Sequence, residues 1–411
     1  MWHIIEYLQN PYLVANFQNY FGVHSYKDDK PLKLLREKQW DNGVENSHKA
    51  LNGRSLAKGE QFLDRRFSSE SESEAKNYII KNWLWYYLFV FGTLLGDEVF
   101  YASFIPFWFW NIDGAVGRRV VMVWAITMYI GQGIKDLVCW PRPPCPPVFR
   151  LQKKWSLEYG MPSTHAMVGV SIPFSVILYT MNRYQYPVGW GLAIAITWCT
   201  LISLSRIYLG MHSILDIVAG LILALVLMII IVPIVDILDL TLLTSRWSPI
   251  ILIVISITMI ALHPCGIHWT PTRGDSTVIL SVCVGIYIGA WINYQLGYMS
   301  FVSYPPPYTI IWPSYGMIGL GLLRTVIGLI GIIATLAVCK SASYATLSAL
   351  LQVHSDELQN SCTSQNSKAR TIVELGYKYV TYLLLGINIV YLLPNVFKLL
   401  SIQRPTFYTE I

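Results

Sequence analysis

The stretch SLSRIYLGMHSILDIVAGLILALVLMIIIV, Ser203–Val232, decides the fold. From Ile217 to its end and on to Val235 there is not one charged residue. A helix needs roughly 20 apolar residues to span a bilayer, and this run supplies them. We read a span over 212–235. To the left another apolar run, 187–205, closes on Ser205-Arg206. Arg206, His212 and Asp216 are thus gathered where one spanning helix ends and the next begins. Ionisable groups inside membrane proteins are costly and mark function.

The same texture extends both ways. Hydrophobic residues make up 54% of the 411 and charged residues 13%, about half the charged share of a soluble domain. We expect spans near 83–105, 116–134, 163–181, 187–205, 212–235, 249–262, 276–296, 315–339 and 378–400, about nine, within a range of 8–10. The weakest is 83–105, which Asp97-Glu98 interrupts. No alternating pattern long enough for a barrel occurs, so the expected fold is all-α, a polytopic membrane helix bundle. Disorder, collagen and disulfide scaffolds are excluded by the same composition. Seven scattered cysteines without a CxxC pair indicate neither a disulfide framework nor a zinc ribbon. A net charge of +6 on this length gives no reason to expect nucleic acid.

The N-terminal part differs. Residues 1–82 hold 12 of the 30 Lys and Arg and 11 of the 24 Asp and Glu, with a polar run at 68–74. They read as a polar, flexible region, followed by a transmembrane domain over 83–400 and a C-terminal tail over 401–411. Met1–Asn10 lacks a basic start and a long apolar run, so the first span is expected to act as an uncleaved targeting signal.

Three polar segments fall at helix ends. Lys135, Arg142 and Pro143 follow the second span. Pro162, Ser163, Thr164 and His165 open the third. Ser205 and Arg206 close the fourth, and His212 and Asp216 open the fifth. Each has a plain explanation alone: a snorkelling lysine, a helix-capping serine, an interfacial arginine. Successive spans reverse direction, however, so all three segments meet on one membrane face. Three cations, two histidines, a carboxylate and a serine then suit the holding and cleaving of a phosphate ester. The helix start at Ser163 offers backbone N–H groups to an anion. His212 and Asp216, four apart, share a helical face. There the carboxylate can orient one ring nitrogen and leave the other as a nucleophile.

With these spacings, K-x6-RP, P-S-x-H and SR-x5-H-x3-D, the chain resembles the type-2 phosphatidic acid phosphatase superfamily, with its haloperoxidase-like helical core, here about 116–235. Thr164 stands where many members have Gly. The stretches KDLVCWPRP, YGMPSTHAM and SRIYLGMHSILD are similar to the sphingosine-1-phosphate phosphatase branch, where Thr is usual. The resemblance covers about 82–394. It implies a metal-independent, cofactor-free phosphomonoesterase of the endoplasmic reticulum membrane that acts on sphingoid-base 1-phosphates. It also implies a lumenal active site. His212 would attack phosphorus, Asp216 would orient it, and His165 would protonate the leaving alkoxide. Lys135, Arg142, Arg206 and Ser163 would bind the phosphate oxygens. Two histidines in opposite protonation states predict a bell-shaped pH–rate profile. The alternatives are a lipid phosphatase of broader range and, from another class, a transporter that binds lipid phosphates without cleaving them. Membrane lipids and the lipid substrate are the expected partners.

Two further readings belong here. Asp97 and Glu98 suit pairing with a substrate ammonium, but the plainer reading, an interfacial helix end or partners of Arg118 or Arg119, is preferred. His263-Pro264-Cys265-Gly266-Ile267-His268 imitates zinc spacing with only three soft ligands and reads as a polar loop. Arg273 and Asp275, in the same loop, receive no role. The basic flank Arg65, Arg66, Lys76 and Lys81 would put the N-terminus, and the site two spans later, in the cytosol. This opposes the lumenal site that the resemblance implies. We favour the lumen, because catalytic cations inflate the charge count on that face.

Overall fold

The computed structural model describes residues 2–25, 78–152, 157–264, 270–300, 305–350 and 368–410. Two short helices, α1 (Trp2–Gln9) and α2 (Pro11–Tyr20), precede the bundle. The long helices follow: α3 (Trp83–Leu94), α4 (Glu98–Asn111), α5 (Gly114–Val138), α6 (Thr164–Thr180), α7 (Val188–Tyr208) and α8 (Ile214–Thr244). Then come α9 (Ser248–Ala261), α10 (Thr272–Gln295), α11 (Tyr315–Leu350), α12 (Lys368–Ile387) and, after a wide turn over Asn388–Leu392, α13 (Leu393–Leu399). The strands are two short pairs. Antiparallel β1 (Val23–Ser25) and β2 (Tyr78–Ile80) are joined Val23 to Ile80, and β3 (Tyr184–Gln185) runs parallel to β4 (Tyr308–Thr309).

The all-α reading is borne out. Among the described residues, five helical stretches are long and apolar enough to cross a membrane: α7, α8, α10, α11 and Thr371–Leu399. The α3–α4 pair makes a sixth if it counts as one span, while α6 and α9 are shorter apolar helices. The expectation of a single helix over 83–105 is corrected: the chain bends by 58° between α3 and α4. At this break Gly96 lies against His165, where a Cβ would come within 3.0 Å of the ring, and the Asp97 carboxylate turns to the same ring.

Several helices have a local reason to begin where they do. Asp113 caps α5, its Oδ1 accepting from the N–H groups of Ala115 (2.8 Å) and Val116 (3.0 Å). Asn82 caps α3 in the same way, Ser163 caps α6 and Ser213 caps α8. Such side chains satisfy N–H groups that the first turn leaves unpaired. Helices α5, α6, α7 and α8 form the central group: α6 touches the other three, and α8 also touches α5. Their interior joins Val120, Val123, Met167, Val170, Ala224 and Met228. Outside it, α10 lies on both α5 and α12. Gly285 and Gly386 permit that close approach, since a Cβ on Gly285 would sit 2.1 Å from the Leu383 carbonyl oxygen. Small residues are a common basis for helix contact in bilayers.

Two arginines inside the bundle are paired with carboxylates. Arg118 on α5 grips Asp239 on α8 through Nε and Nη2, both at 3.1 Å, and Arg119 meets Asp236 at 3.1 Å. This fixes the end of α5 that lies about 26 Å from Lys135 at 1.5 Å per residue. Large apolar side chains, Leu225, Ile229 and Ile237 among them, cover the outer face of α8, as a lipid-facing surface requires.

Residues 2–25, inside the region expected to be flexible, are mostly helical and packed on the bundle. Gln18 of α2 is fully buried. Its Nε2 donates to the carbonyls of Phe149 (2.7 Å) and Tyr208 (2.8 Å), and its Oε1 accepts from Phe149 N–H (3.0 Å). Buried polar side chains of this kind hold a segment in place because leaving them unpaired is expensive. The polar run at 68–74 lies outside the described residues. At the other terminus the tail is anchored: the buried Glu410 accepts from Gly114 N–H and binds Arg404.

Candidate active site

The three polar segments converge on one end of the central helix group. Lys135 occupies the last turn of α5. Arg206 occupies the last turn of α7. The first turns of α6 and α8 face each other there, joined by Ser163 N–H donating to the Asp216 carbonyl at 3.0 Å. Gly220 allows that approach, because a Cβ would lie 2.6 Å from the Ser163 carbonyl oxygen. Ser213 and Asp216 close a reciprocal cap. The Asp216 Oδ2 accepts from Ser213 N–H at 2.7 Å, and the Ser213 Oγ accepts from Asp216 N–H at 3.2 Å.

The three cations are deeply buried and differently employed. Lys135 is 1% exposed. Its Nζ donates to Glu158 Oε2 at 2.6 Å and to Thr164 Oγ1 at 3.2 Å. Arg142 is fixed by main chain: Nε donates to the Glu158 carbonyl and Nη1 to the Met211 carbonyl, each at 2.7 Å. Burial pulls its guanidinium down to about 10 against the opposing effect of Glu158, which leaves it charged at neutral pH. Arg206, wholly buried, donates through Nη1 to Thr93 Oγ1 and Gln152 Oε1, both at 2.8 Å. Its Nε and Nη2 have no hydrogen-bond partner among the described residues. A buried guanidinium with two nitrogens left over is suited to hold an anion.

His212 lies just before the cap of α8, not on the helix. The expectation that it and Asp216 share a helical face is corrected on this point, because Ser213 in extended conformation starts the helix after it. The two side chains still meet: Nδ1 is 3.7 Å from Asp216 Oδ2, longer than a hydrogen bond. Nε2 lies 3.4 Å from Arg142 Nη1. An arginine can only donate, so an Nε2 facing it is suited to carry the lone pair, with the proton on Nδ1 toward Asp216. Burial first, and then the charges of Arg142, Arg206 and Lys135, hold this imidazole well below its ordinary 6.5. It is therefore neutral at neutral pH.

His165 stands in the first turn of α6, its Nε2 3.5 Å from Asp97 Oδ1. The preferred pairing of the 97–98 acids with Arg118 or Arg119 is thereby corrected: Asp236 and Asp239 take those arginines, and Asp97 attends His165. Ser163 serves its ordinary capping role, its Oγ accepting from Ala166 N–H at 3.5 Å, and its hydroxyl proton remains to be given.

Glu158 was not among the residues singled out in the sequence. It bridges two of the cations, Lys135 at 2.6 Å and Arg142 at 3.9 Å. Burial would raise its carboxyl, yet Lys135 and Arg142 hold it below the usual carboxylate range. One signal was available: it is the only acidic residue between Asp136 and Asp216. Thr93 and Gln152, which orient Arg206, left no comparable trace.

A cavity of about 400 Å³ opens beside His165. Gly96, Asp97, Glu158, Thr164 and His165 form its polar end, while Ile105, Trp124, Val168, Ile279, Ile332 and Leu385 line the rest. Asp275 lines it too, whereas Arg273 donates to the carbonyls of Ile260 and Ala261. His263 is held by Ser276 Oγ at 3.0 Å, and residues 265–269 of that loop lie outside the described residues. Among the described residues no group of three His, Cys, Asp or Glu could hold a metal ion.

Known proteins resemble the part of the chain that carries these residues. A model of the PAP2 superfamily matches residues 117–240, the helices that carry all three segments. Sphingosine-1-phosphate phosphatase 2 of Homo sapiens is 35% identical over 98% of this chain and 100% of its own. The chain belongs to the sphingosine-1-phosphate phosphatase family. Sphingosine-1-phosphate phosphatase 1 of Rattus norvegicus is 37% identical over 88% of this chain and 83% of its own. A dihydrosphingosine 1-phosphate phosphatase of Schizosaccharomyces pombe is 31% identical over 51% of this chain and 52% of its own. No solved structure matches. The family resemblance read from the three motifs is borne out, and with it the multi-pass membrane architecture.

Proposed function

We propose that the protein hydrolyses sphingoid-base 1-phosphates, such as sphingosine 1-phosphate and dihydrosphingosine 1-phosphate, in the endoplasmic reticulum membrane, with its site toward the lumen. The family relatives support the substrate class. The resemblance supports the compartment. The observation that carries the chemistry is His212, a buried neutral imidazole whose Nδ1 faces Asp216 and whose Nε2 faces the cations.

The phosphate sits against Arg206 Nε and Nη2, Arg142, Lys135 and the Ser163 hydroxyl, and the lipid chain lies in the apolar cavity. His212 Nε2 attacks phosphorus in line with the ester oxygen. The P–O bond breaks as His165 gives its proton to the departing alkoxide, and the free base leaves. A P–N bond now holds the phosphoryl group on His212. Water loses a proton to His165 and attacks phosphorus, the P–N bond breaks, and inorganic phosphate departs with both histidines restored. Charge in such a transition state spreads over three oxygens, so fixed cations supply most of the catalysis. Asp216 stabilises the Nδ1 proton while the ring carries the phosphoryl group, its 3.7 Å approach shortening in the loaded site.

The test is release of inorganic phosphate from sphingosine 1-phosphate by the purified protein in lipid vesicles, with His212→Ala as the partner experiment. Turnover by the wild type and none by His212→Ala is expected. Substantial turnover by the variant would refute the nucleophile, and none by the wild type would refute the activity.

A further inference from the structure

The carboxylate of Glu158 is out of place in a site built for an anion. It is 6% exposed, and it engages Lys135, one of the cations that should face phosphate. Its Oε2 is used in that contact, while its Oε1 is buried without a hydrogen-bond partner among the described residues. A buried carboxylate oxygen left unpaired is costly. Beside a phosphate it is also repulsive. The cost is recovered if the substrate itself brings a cation close to its phosphate.

Position says the same. Glu158 belongs both to the cation cluster, through Lys135 and Arg142, and to the wall of the apolar cavity. It stands where a bound lipid would pass from headgroup to chain. Asp97, Glu98 and Asp275 line the same cavity. Lys378, also in its wall, is already paired with Glu374 at 2.7 Å. The polar end of the chamber is therefore negative next to a strongly positive phosphate site. That polarity complements a zwitterion whose ammonium lies on the carbon beside the phosphorylated one.

We infer that Glu158 is the specificity residue of this site, its free carboxylate oxygen receiving the 2-ammonium of a sphingoid-base phosphate. The inference rests on the phosphatase reading above and sharpens it: the same cations would serve any lipid phosphate, and Glu158 makes the amine count. Glu158 serves two functions at once, since its other oxygen holds Lys135.

The experiment compares two lipids of equal chain length, sphingosine 1-phosphate and its analogue with a hydroxyl in place of the 2-amine, on the full chain in vesicles. The wild type should prefer the amine by about tenfold or more in kcat/KM, the size of one charge-assisted hydrogen bond. Glu158→Gln should lose that preference, falling at least about tenfold on the amine lipid and far less on the hydroxyl lipid. Inhibition by inorganic phosphate should be unchanged or tighter in the variant, because a like charge has been removed from the anion site. Equal losses on both lipids would mean that Glu158 only positions Lys135, and would overturn the inference while leaving the phosphatase reading intact. If Glu158→Gln fails to fold, the wild type decides: equal kcat/KM on the two lipids overturns the inference. Absence of phosphate release from either lipid by the wild type overturns the reading beneath it.

Discussion

At the scale of single residues the site depends on directional donors and on one proton's location. Arg206 has its Nη1 committed to Thr93 and Gln152, and its Nε and Nη2, without a partner among the described residues, are the donors we propose for phosphate. A lysine offers a point charge and no second fork. Arg206→Lys should therefore lower kcat/KM by about 100-fold or more, the usual loss when a preorganised oxyanion donor is removed, well beyond the loss of thermal stability caused by disturbing the Thr93 and Gln152 contacts. His212 makes a pH prediction. Attack requires the neutral ring, so activity falls as pH drops through its pKa. Burial and three neighbouring cations hold that value below 6.5, so the acidic limb of kcat/KM should lie below pH 6.5 and rise to its plateau before neutrality. A limb centred above 6.5 would contradict the assignment. The residues of the three motifs were legible because their spacing repeats a pattern. Glu158 and the Asp97–His165 contact were not, since a lone acid in a loop and a carboxylate in an apolar helix have no fixed spacing to the groups they meet.

At the scale of elements, the apolar runs located the helices well, because the bilayer sets both their length and their composition. They did not reveal the 58° bend between α3 and α4, which exists so that Gly96 and Asp97 can meet a histidine almost 70 residues away in sequence. Nor did they reveal that α2 is tethered through Gln18, a single polar residue in a segment whose overall character is polar. The precision of the site rests on a helix contact: the first turns of α6 and α8 touch at Ser163 and Gly220. Gly220→Val would place side-chain carbon where only 2.6 Å separates a Cβ from a carbonyl oxygen. The helices must then separate, at a cost of about 1–3 kcal/mol. The cap of Asp216 on Ser213 and the alignment of His212 depend on that contact. Phosphate release should thus fall much further than the melting temperature. A variant with full activity would show that the two helix ends need not meet.

At the scale of the whole molecule, two layers of polar contact are separated by the thickness of the bundle. The Arg118–Asp239 pair and the Glu410 anchor secure the end near Gly114. The proposed phosphate site occupies the other end, around Lys135. Every motif residue lies at that second end, so one measurement of sidedness orients the entire catalytic set. The positive-inside rule weighs Lys and Arg near span ends as anchors. Lys135, Arg142 and Arg206 are not anchors of this kind: they are buried and bound to protein groups, so they face neither leaflet. Removing them from the count weakens the argument for a cytosolic site, and the lumenal reading then accords with the family resemblance. The chain contains no Asn-x-Ser/Thr sequon of its own, so an introduced one reports without background. A sequon introduced in the connection between Lys135 and His165, between Leu151 and Leu157 in sequence, should be glycosylated in microsomal membranes and produce a band shift that glycosidase reverses. The matching sequon between Arg183 and Val188, at the opposite end of α6, should remain unmodified. The reverse pattern would place the site in the cytosol. It would leave the chemistry intact while moving substrate delivery and phosphate release to the other side of the membrane.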